Sequence, residues 1–167
     1  MSKPALTPER LRELLMYSPE TGEFVWRQSR RCVAAGDVAG MINRKLGYRQ
    51  IGVAGVRYFA HRLAWLYVHG VWPIDQIDHA NGDGTDNRIC NLRLASQSEN
   101  RCNMRRRCDN SSGYKGVTFH PQTGRWRARV TLRGQHFEAG LHGTPEAAHA
   151  AYKAMAAKIH GDYARFS

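Results

Sequence analysis

The chain has 167 residues and a formal net charge of +11, from 25 Lys and Arg against 14 Asp and Glu. That length excludes a large enzyme and suits one domain or two or three very small ones. The longest apolar stretches, such as residues 63–68, fall far below the roughly 18–20 residues of a membrane span, and Met1 to Pro4 show no apolar signal core. We therefore expect an intracellular protein with no membrane partner.

The positive charge is unevenly distributed along the chain. Residues 1–74 carry a net +6, residues 75–103 a net −2 and residues 104–167 a net +7. Two basic segments indicate binding to a polyanion, because each neutralised phosphate releases counterions and so strengthens binding. The short acidic segment between them could bind a metal ion through its carboxylates. The four cysteines show no Cys-x-x-Cys pair, which indicates free thiols rather than a zinc site.

The first basic segment is predicted to form a small antiparallel sheet with helices. Thr7-Pro8-Glu9 is a helix start, and Leu11, Leu14 and Leu15 follow at helical spacing. Residues 23–27 are predicted to form a strand, residues 48–53 and 56–60 a hairpin around Ala54-Gly55, and residues 61–69 a short helix.

The acidic segment contains a group of residues whose side chains could together catalyse cleavage of a phosphodiester bond. Residues 77–103 read IDHANGDGTDNRICNLRLASQSENRCN, with Asp78-His79 after an apolar residue and a predicted helix from about Ser96 that contains Asn100. Phosphodiester cleavage needs a base to activate water and a divalent cation to stabilise negative charge, and histidine and a carboxylate can supply these functions. The competing interpretation is that these Asp and Asn residues are simply turn formers.

This segment resembles the HNH endonuclease family, in the phage-type homing branch whose last histidine is replaced by asparagine. The resemblance implies a ββα-metal core in which His79 is the general base, Asp78 and Asn100 bind the metal, and Asn91 holds the loop and orients the histidine. The expected ion is Mg²⁺, with Mn²⁺ as the second candidate. Two questions stay open. The third motif residue could be Asn103 instead of Asn100, and Arg88 and Arg93 could either contact the phosphate or pair with Asp83 or Asp86.

The second basic segment alternates like a meander of three strands at residues 117–120, 125–131 and 135–139, followed by a helix from Thr144-Pro145 to Gly161. Tyr114-Lys115-Gly116-Val117, Trp126 and His160-Gly161 are among the residues through which it resembles the plant Apetala-two/ethylene-response-factor DNA-binding domain. The resemblance implies a three-stranded antiparallel sheet packed on one helix, with an outer face toward DNA. The residues on that face are Lys115, Thr118, His120, Arg125, Arg127, Arg129 and His136.

Together these patterns predict an α+β protein with a DNA-contacting segment at 1–74, a nuclease core at 75–108 and an Apetala-two-like domain at 109–167. The weaker resemblance of the first segment to regions preceding the nuclease in phage HNH proteins implies backbone contacts by arginines such as Arg27, Arg30, Arg31 and Arg49. The predicted function is a sequence-biased, divalent-metal-dependent DNA endonuclease. We expect a monomer that acts on double-stranded DNA in a bacterial host and has no small-molecule substrate. The alternatives are a DNA-binding regulator with a decayed nuclease core and an RNA-binding module.

Overall fold

The computed structural model describes residues 6–30, 32–104 and 110–166, with the side chain of Asp162 left out. Arg31, the run Arg105-Arg106-Arg107 and Cys108 therefore lie outside the described residues. The chain divides into two compact units in sequence, a first unit up to Leu94 and a second unit from Ala95. The division into functional segments at residues 1–74, 75–108 and 109–167 remains a prediction.

The first unit begins with a helix and a hairpin. Helix α1 (Pro8–Leu14) starts at Thr7, whose side chain accepts a hydrogen bond from the backbone N–H of Arg10. Strands β1 (Leu15–Tyr17) and β2 (Phe24–Trp26) pair antiparallel, and the predicted strand near residues 23–27 is confirmed. The sequence prediction that Leu15 belongs to the helix is wrong. Leu15 is opposite Trp26 in the hairpin, and its burial alternates along the strand with that of its neighbours.

A three-stranded antiparallel sheet follows, with β3 (Met41–Asn43), β4 (Tyr48–Val53) and β5 (Val56–Phe59) in that order. The predicted turn is confirmed: Ala54 and Gly55 have φ of 50° and 74°, as a two-residue hairpin of this twist requires. Helix α2 (Ala60–His69) ends at Gly70 in the left-handed conformation. Its buried face contributes to one apolar core with α1, β1, β2 and β4, in which the largest fully buried residues are Leu11, Leu15, Phe24, Ile51, Val53, Leu63 and Leu66.

Strand β6 (Gln76–His79) pairs with β7 (Leu92–Ala95), and a 3₁₀ turn at Ile89–Asn91 leads into β7. Helix α3 (Gln97–Asn103) follows, with Ser96 and Glu99 forming reciprocal caps at its start. This chain order of strand, loop, strand and helix agrees with the predicted ββα pattern. By its packing, however, α3 belongs to the second unit.

The second unit contains a sheet covered by a helix. Strands β8 (Val117–His120), β9 (Arg125–Leu132) and β10 (Gln135–His142) are antiparallel, with β9 in the centre, and helix α4 (Pro145–His160) packs on them. Its core consists of Val117, Ala128, Val130, Ala148, Tyr152 and Ala156. The predicted α+β fold is confirmed. No helix within the described residues is long and apolar enough to cross a membrane.

Candidate active site and nucleic-acid interface

Strand β6 places Asp78 and His79 next to each other, and each is only 4% exposed. Asp78 Oδ2 accepts a hydrogen bond from Nε of Arg93 at 2.9 Å, and Nη2 of Arg93 lies 2.7 Å from the same oxygen. Arg93 is on β7, the neighbour of β6, so the pairing of the two strands produces this contact. The acid that pairs with Arg93 is thus Asp78, rather than either of the two aspartates considered from the sequence.

The imidazole of His79 is oriented by a buried amide. Nε2 of His79 lies 3.4 Å from Oδ1 of Asn87, a residue that is 1% exposed. The amide nitrogen of Asn87 donates to the backbone oxygen of Thr85 at 3.0 Å, so the amide oxygen is the atom turned toward the ring. An amide oxygen only accepts hydrogen bonds, so this contact assigns the ring proton to Nε2 and the lone pair to Nδ1.

Two further rings surround His79. The ring centroid of His61 is 5.1 Å from that of His79, and the centroid of Tyr48 is 5.7 Å away. Burial lowers the pKa of His61 to about 3, with smaller contributions from His79 and Arg62. Burial also lowers the pKa of His79, although the contact with Asn87 and the nearby aspartates oppose that shift. Both shifts favour the neutral form of the imidazole.

Asn91 anchors the loop between the two strands. Its Nδ2 donates to Oδ1 of Asn81 at 3.0 Å and to the backbone oxygen of Asp86 at 2.8 Å, and its Oδ1 accepts from the backbone nitrogen of Asn81 at 3.0 Å. Arg88 forms two hydrogen bonds to the Asp86 carboxylate, at 2.8 and 2.6 Å, which lower the pKa of that carboxyl to about 2. Of the two roles considered for Arg88, the structure shows pairing with Asp86.

The two residues predicted to bind metal belong to different units: Asp78 to the first, and Asn100, on α3, to the second. Asn100 is half-buried and the alternative residue Asn103 is 6% exposed. Among the described residues, no group of three or more His, Cys, Asp or Glu side chains is arranged to hold a metal ion. The donors themselves, a carboxylate and an amide oxygen, are of the chemical type that Mg²⁺ and Mn²⁺ prefer.

The outer face of the second unit's sheet brings most of the predicted DNA-facing residues together. Arg125, Arg127 and Arg129 alternate along the central strand β9 with Ala128 and Val130 of the core. Arg127 is opposite Thr118 and Arg125 is opposite His120 on β8, while Thr131 of β9 is opposite His136 on β10. These residues form a basic row across three strands, which we call the arginine face and define as Thr118, His120, Arg125, Arg127, Arg129 and His136.

Lys115 is positioned differently from the rest of the predicted set. Its Nζ donates to the backbone oxygens of Cys102 and Met104, each at 2.7 Å, at the end of α3. Burial lowers the pKa of this lysine to about 8. Its ammonium is therefore used within the unit, to hold α3.

Sequence reasoning missed Asn87, His61 and Tyr48 as neighbours of His79. Asn87 is part of the quoted motif but has no role assigned from the sequence, and His61 and Tyr48 precede His79 by 18 and 31 positions along the chain. Only the packing of α2 and β4 around β6 brings those rings to His79.

Comparison with known proteins agrees with both resemblances. Residues 58–102 match the family model described as HNH endonuclease, and residues 112–162 match the AP2 domain model. Protein 3.8 of Escherichia phage T7 is 32% identical over 107 residues, which cover 64% of this chain and 88% of that protein. No solved structure matches the chain. The chain therefore belongs to the HNH endonuclease family and carries an AP2 domain in its C-terminal part.

Proposed function

We propose that the protein is a sequence-biased, divalent-metal-dependent DNA endonuclease with His79 as its general base. The observation that carries this proposal is the buried imidazole of His79, whose Nε2 lies beside the side-chain oxygen of Asn87, an atom that can only accept a hydrogen bond. A neutral imidazole with a lone pair at a defined nitrogen can accept a proton from water. The segment that holds it is the one that matches the HNH endonuclease model.

The proposed reaction is hydrolysis of one phosphodiester bond. Nδ1 of His79 takes a proton from a water molecule as the water oxygen attacks the scissile phosphorus. The bond from phosphorus to the 3′ oxygen breaks, and that oxygen takes up a proton from solvent. The products are a 5′ phosphate and a 3′ hydroxyl, and His79 returns its proton to solvent before the next cycle.

Asp78 would hold the metal ion, Mg²⁺ first and Mn²⁺ second, and Asn100 stays the second ligand that the family resemblance implies. Such an ion supplies positive charge beside the scissile phosphate and the leaving oxygen. The contribution of Arg93 is to hold the Asp78 carboxylate in one orientation through its contacts of 2.9 and 2.7 Å. Asn91 would maintain the shape of the loop after His79 through its hydrogen bonds to Asn81 and Asp86.

The arginine face is the proposed duplex-docking surface. A sheet of this width can enter the major groove, and the planar guanidinium fork can bind a guanine edge or a phosphate. The three arginines point away from the core on alternate residues of one strand, which supports a common direction toward the DNA. The N-terminal arginines would add backbone contacts. We further propose that the protein acts as a monomer inside a bacterial cell on double-stranded DNA.

A DNA-binding regulator with a decayed nuclease core is the second candidate function. The ion pair between Asp78 and Arg93 favours it, because that carboxylate already has a cationic partner. The two candidates predict the same DNA binding and differ in whether a phosphodiester bond is broken.

Incubation of supercoiled plasmid with the protein and Mg²⁺ separates these candidates. We expect nicked or linear product from wild type, loss of that product with EDTA, and loss with His79→Ala. The plasmid should carry the protein's own flanking DNA, because the target sequence is unknown. Binding without any cleavage would support the regulator, and equal cleavage by wild type and His79→Ala would refute His79 as the base.

A further inference from the structure

A basic groove lies within the second unit, between α3 and the turn that joins β9 to β10. Its volume is roughly 720 Å³, and its walls include Ser98 and Arg101 on one side and Thr131, Arg133 and Gly134 on the other. None of the described residues lining it is Asp or Glu. The groove is therefore open to an anion.

The two guanidinium groups of the groove have no carboxylate partner among the described residues, and both side chains are exposed. Arg88 and Arg93 differ in this respect, because each forms an ion pair with an aspartate. Both arginines line the same groove and neither pairs with a described carboxylate. Their guanidinium groups can therefore donate bidentate hydrogen bonds to a phosphate and neutralise its charge.

The backbone at Arg133 provides an independent argument. Arg133 and Gly134 have φ of 51° and 79°, so they form a two-residue hairpin turn in which both central positions are left-handed. Asn, Asp or Gly is preferred at the first of these positions, and a long side chain is disfavoured there. An arginine at a position that disfavours it indicates a use for its guanidinium group.

The walls of the groove are held together by hydrogen bonds within the unit. The backbone N–H of Arg133 donates to Oγ of Ser98 at 2.8 Å, which ties the turn to α3. Nζ of Lys115 donates to the backbone oxygens of Cys102 and Met104 at the other end of α3. Arg101 and Arg133 are thus carried by elements whose separation is set by direct contacts.

The groove continues the arginine face. Arg129 and Thr131 occupy successive outward positions on β9, and Arg133 follows two residues later in the turn. Thr131 connects the two features, since it lines the groove and is opposite His136 of the arginine face.

We infer that this groove binds a backbone phosphate of the same duplex that docks on the arginine face, with Arg101 and Arg133 as its ligands. This inference rests on the proposed DNA binding and extends it beyond the AP2 domain, because Arg101 lies on α3, the helix that also carries Asn100. The contact is to phosphate only, so it adds affinity without reading sequence.

The test compares full-length variants in binding a fluorescent double-stranded DNA pool of mixed sequence over a range of salt concentrations. The test variant is Arg101→Gln with Arg133→Asn, and the control is Lys153→Gln with Lys158→Gln, which removes two exposed charges from α4 of the same unit. We expect the slope of log K against log salt to fall by about 1 in the test variant, because one phosphate contact is lost, and by much less in the control.

Misfolding would not reproduce this result, because asparagine is favoured at position 133 and Arg133→Asn alone should keep or raise the melting temperature while weakening binding. A slope in the test variant equal to that of wild type, or to that of the control, would overturn the inference. If Arg127→Ala weakens binding and the groove variant does not, the inference fails while the proposed docking face stands. Wild-type protein that binds no DNA would overturn both.

Discussion

The side-chain oxygen of Asn87 lies 3.4 Å from Nε2 of His79, and the Asn87 amide is held in that orientation by the backbone oxygen of Thr85. The base proposed for the reaction therefore receives its tautomer from a residue eight positions later in the chain.

Replacement of Asn87 should slow cleavage without weakening DNA binding. Asn87→Ala removes the acceptor for Nε2–H, so the ring loses its preferred tautomer, and we expect cleavage to slow by about 10- to 100-fold. Asn87→Asp keeps an acceptor oxygen and should recover part of the rate. Single-turnover nicking rates, with DNA affinity and circular dichroism measured in parallel, check this expectation. Wild-type rates in Asn87→Ala would contradict the positioning role.

The arginine face should determine both affinity and its salt dependence. Arg127→Ala and Arg129→Ala each remove an outward guanidinium of the central strand, so we expect each to weaken DNA binding and to reduce the salt slope by about 1 if the arginine contacts phosphate. Lys153→Gln on α4 is the matched loss of one charge. An unchanged salt slope in both arginine variants would remove the docking surface from the proposal.

Lys115 should matter for stability rather than for DNA contact. Lys115→Met keeps most of the aliphatic length but leaves the backbone oxygens of Cys102 and Met104 without the ammonium donor. We expect a loss of about 1–3 kcal/mol in the free energy of unfolding, measured by denaturant titration. The salt slope of DNA binding, measured where the variant is folded, should equal that of wild type. A slope lowered by about 1 would instead show that Lys115 contacts phosphate, which is the role implied by the resemblance to the Apetala-two domain.

Burial of His61 should make the first unit less stable in acid. The unfolded chain binds a proton at this imidazole below about pH 6.5, whereas the folded chain resists protonation until the pH approaches its pKa of about 3. Because the unfolded state binds more protons between these values, acidification over this window favours unfolding.

His61→Phe, which keeps an aromatic ring beside Phe59, should weaken this pH dependence of the melting temperature. His69→Phe, at an exposed position on the same helix, is the control and should leave it nearly unchanged. Melting curves recorded from about pH 7 to 4 provide the measurement. An equal pH dependence in wild type and His61→Phe would show that another group causes the acid sensitivity.

Local sequence signals were sufficient for most elements of the fold. Thr7-Pro8 and Thr144-Pro145 begin helices in the structure, Ala54-Gly55 forms the predicted hairpin turn, and the alternating arginines lie on the outer side of β9. Each signal works over a few residues, through a cap, a left-handed turn or the two-residue period of a strand. The helix prediction fails at Leu15 because its helical spacing is overridden by antiparallel pairing with Trp26 in the hairpin.

The sequence by itself determined which chemical groups this protein has: the order of Asp78, His79, Asn91 and Asn100, the alternating arginines, and the resemblance to two families. Only the tertiary structure decided which groups touch: Asn87 and His61 beside His79, Arg93 on Asp78, and Lys115 on the end of α3. Spacing along the chain specifies the face of an element on which a residue lies. A contact between elements depends on how they pack, and that packing is set by the whole core.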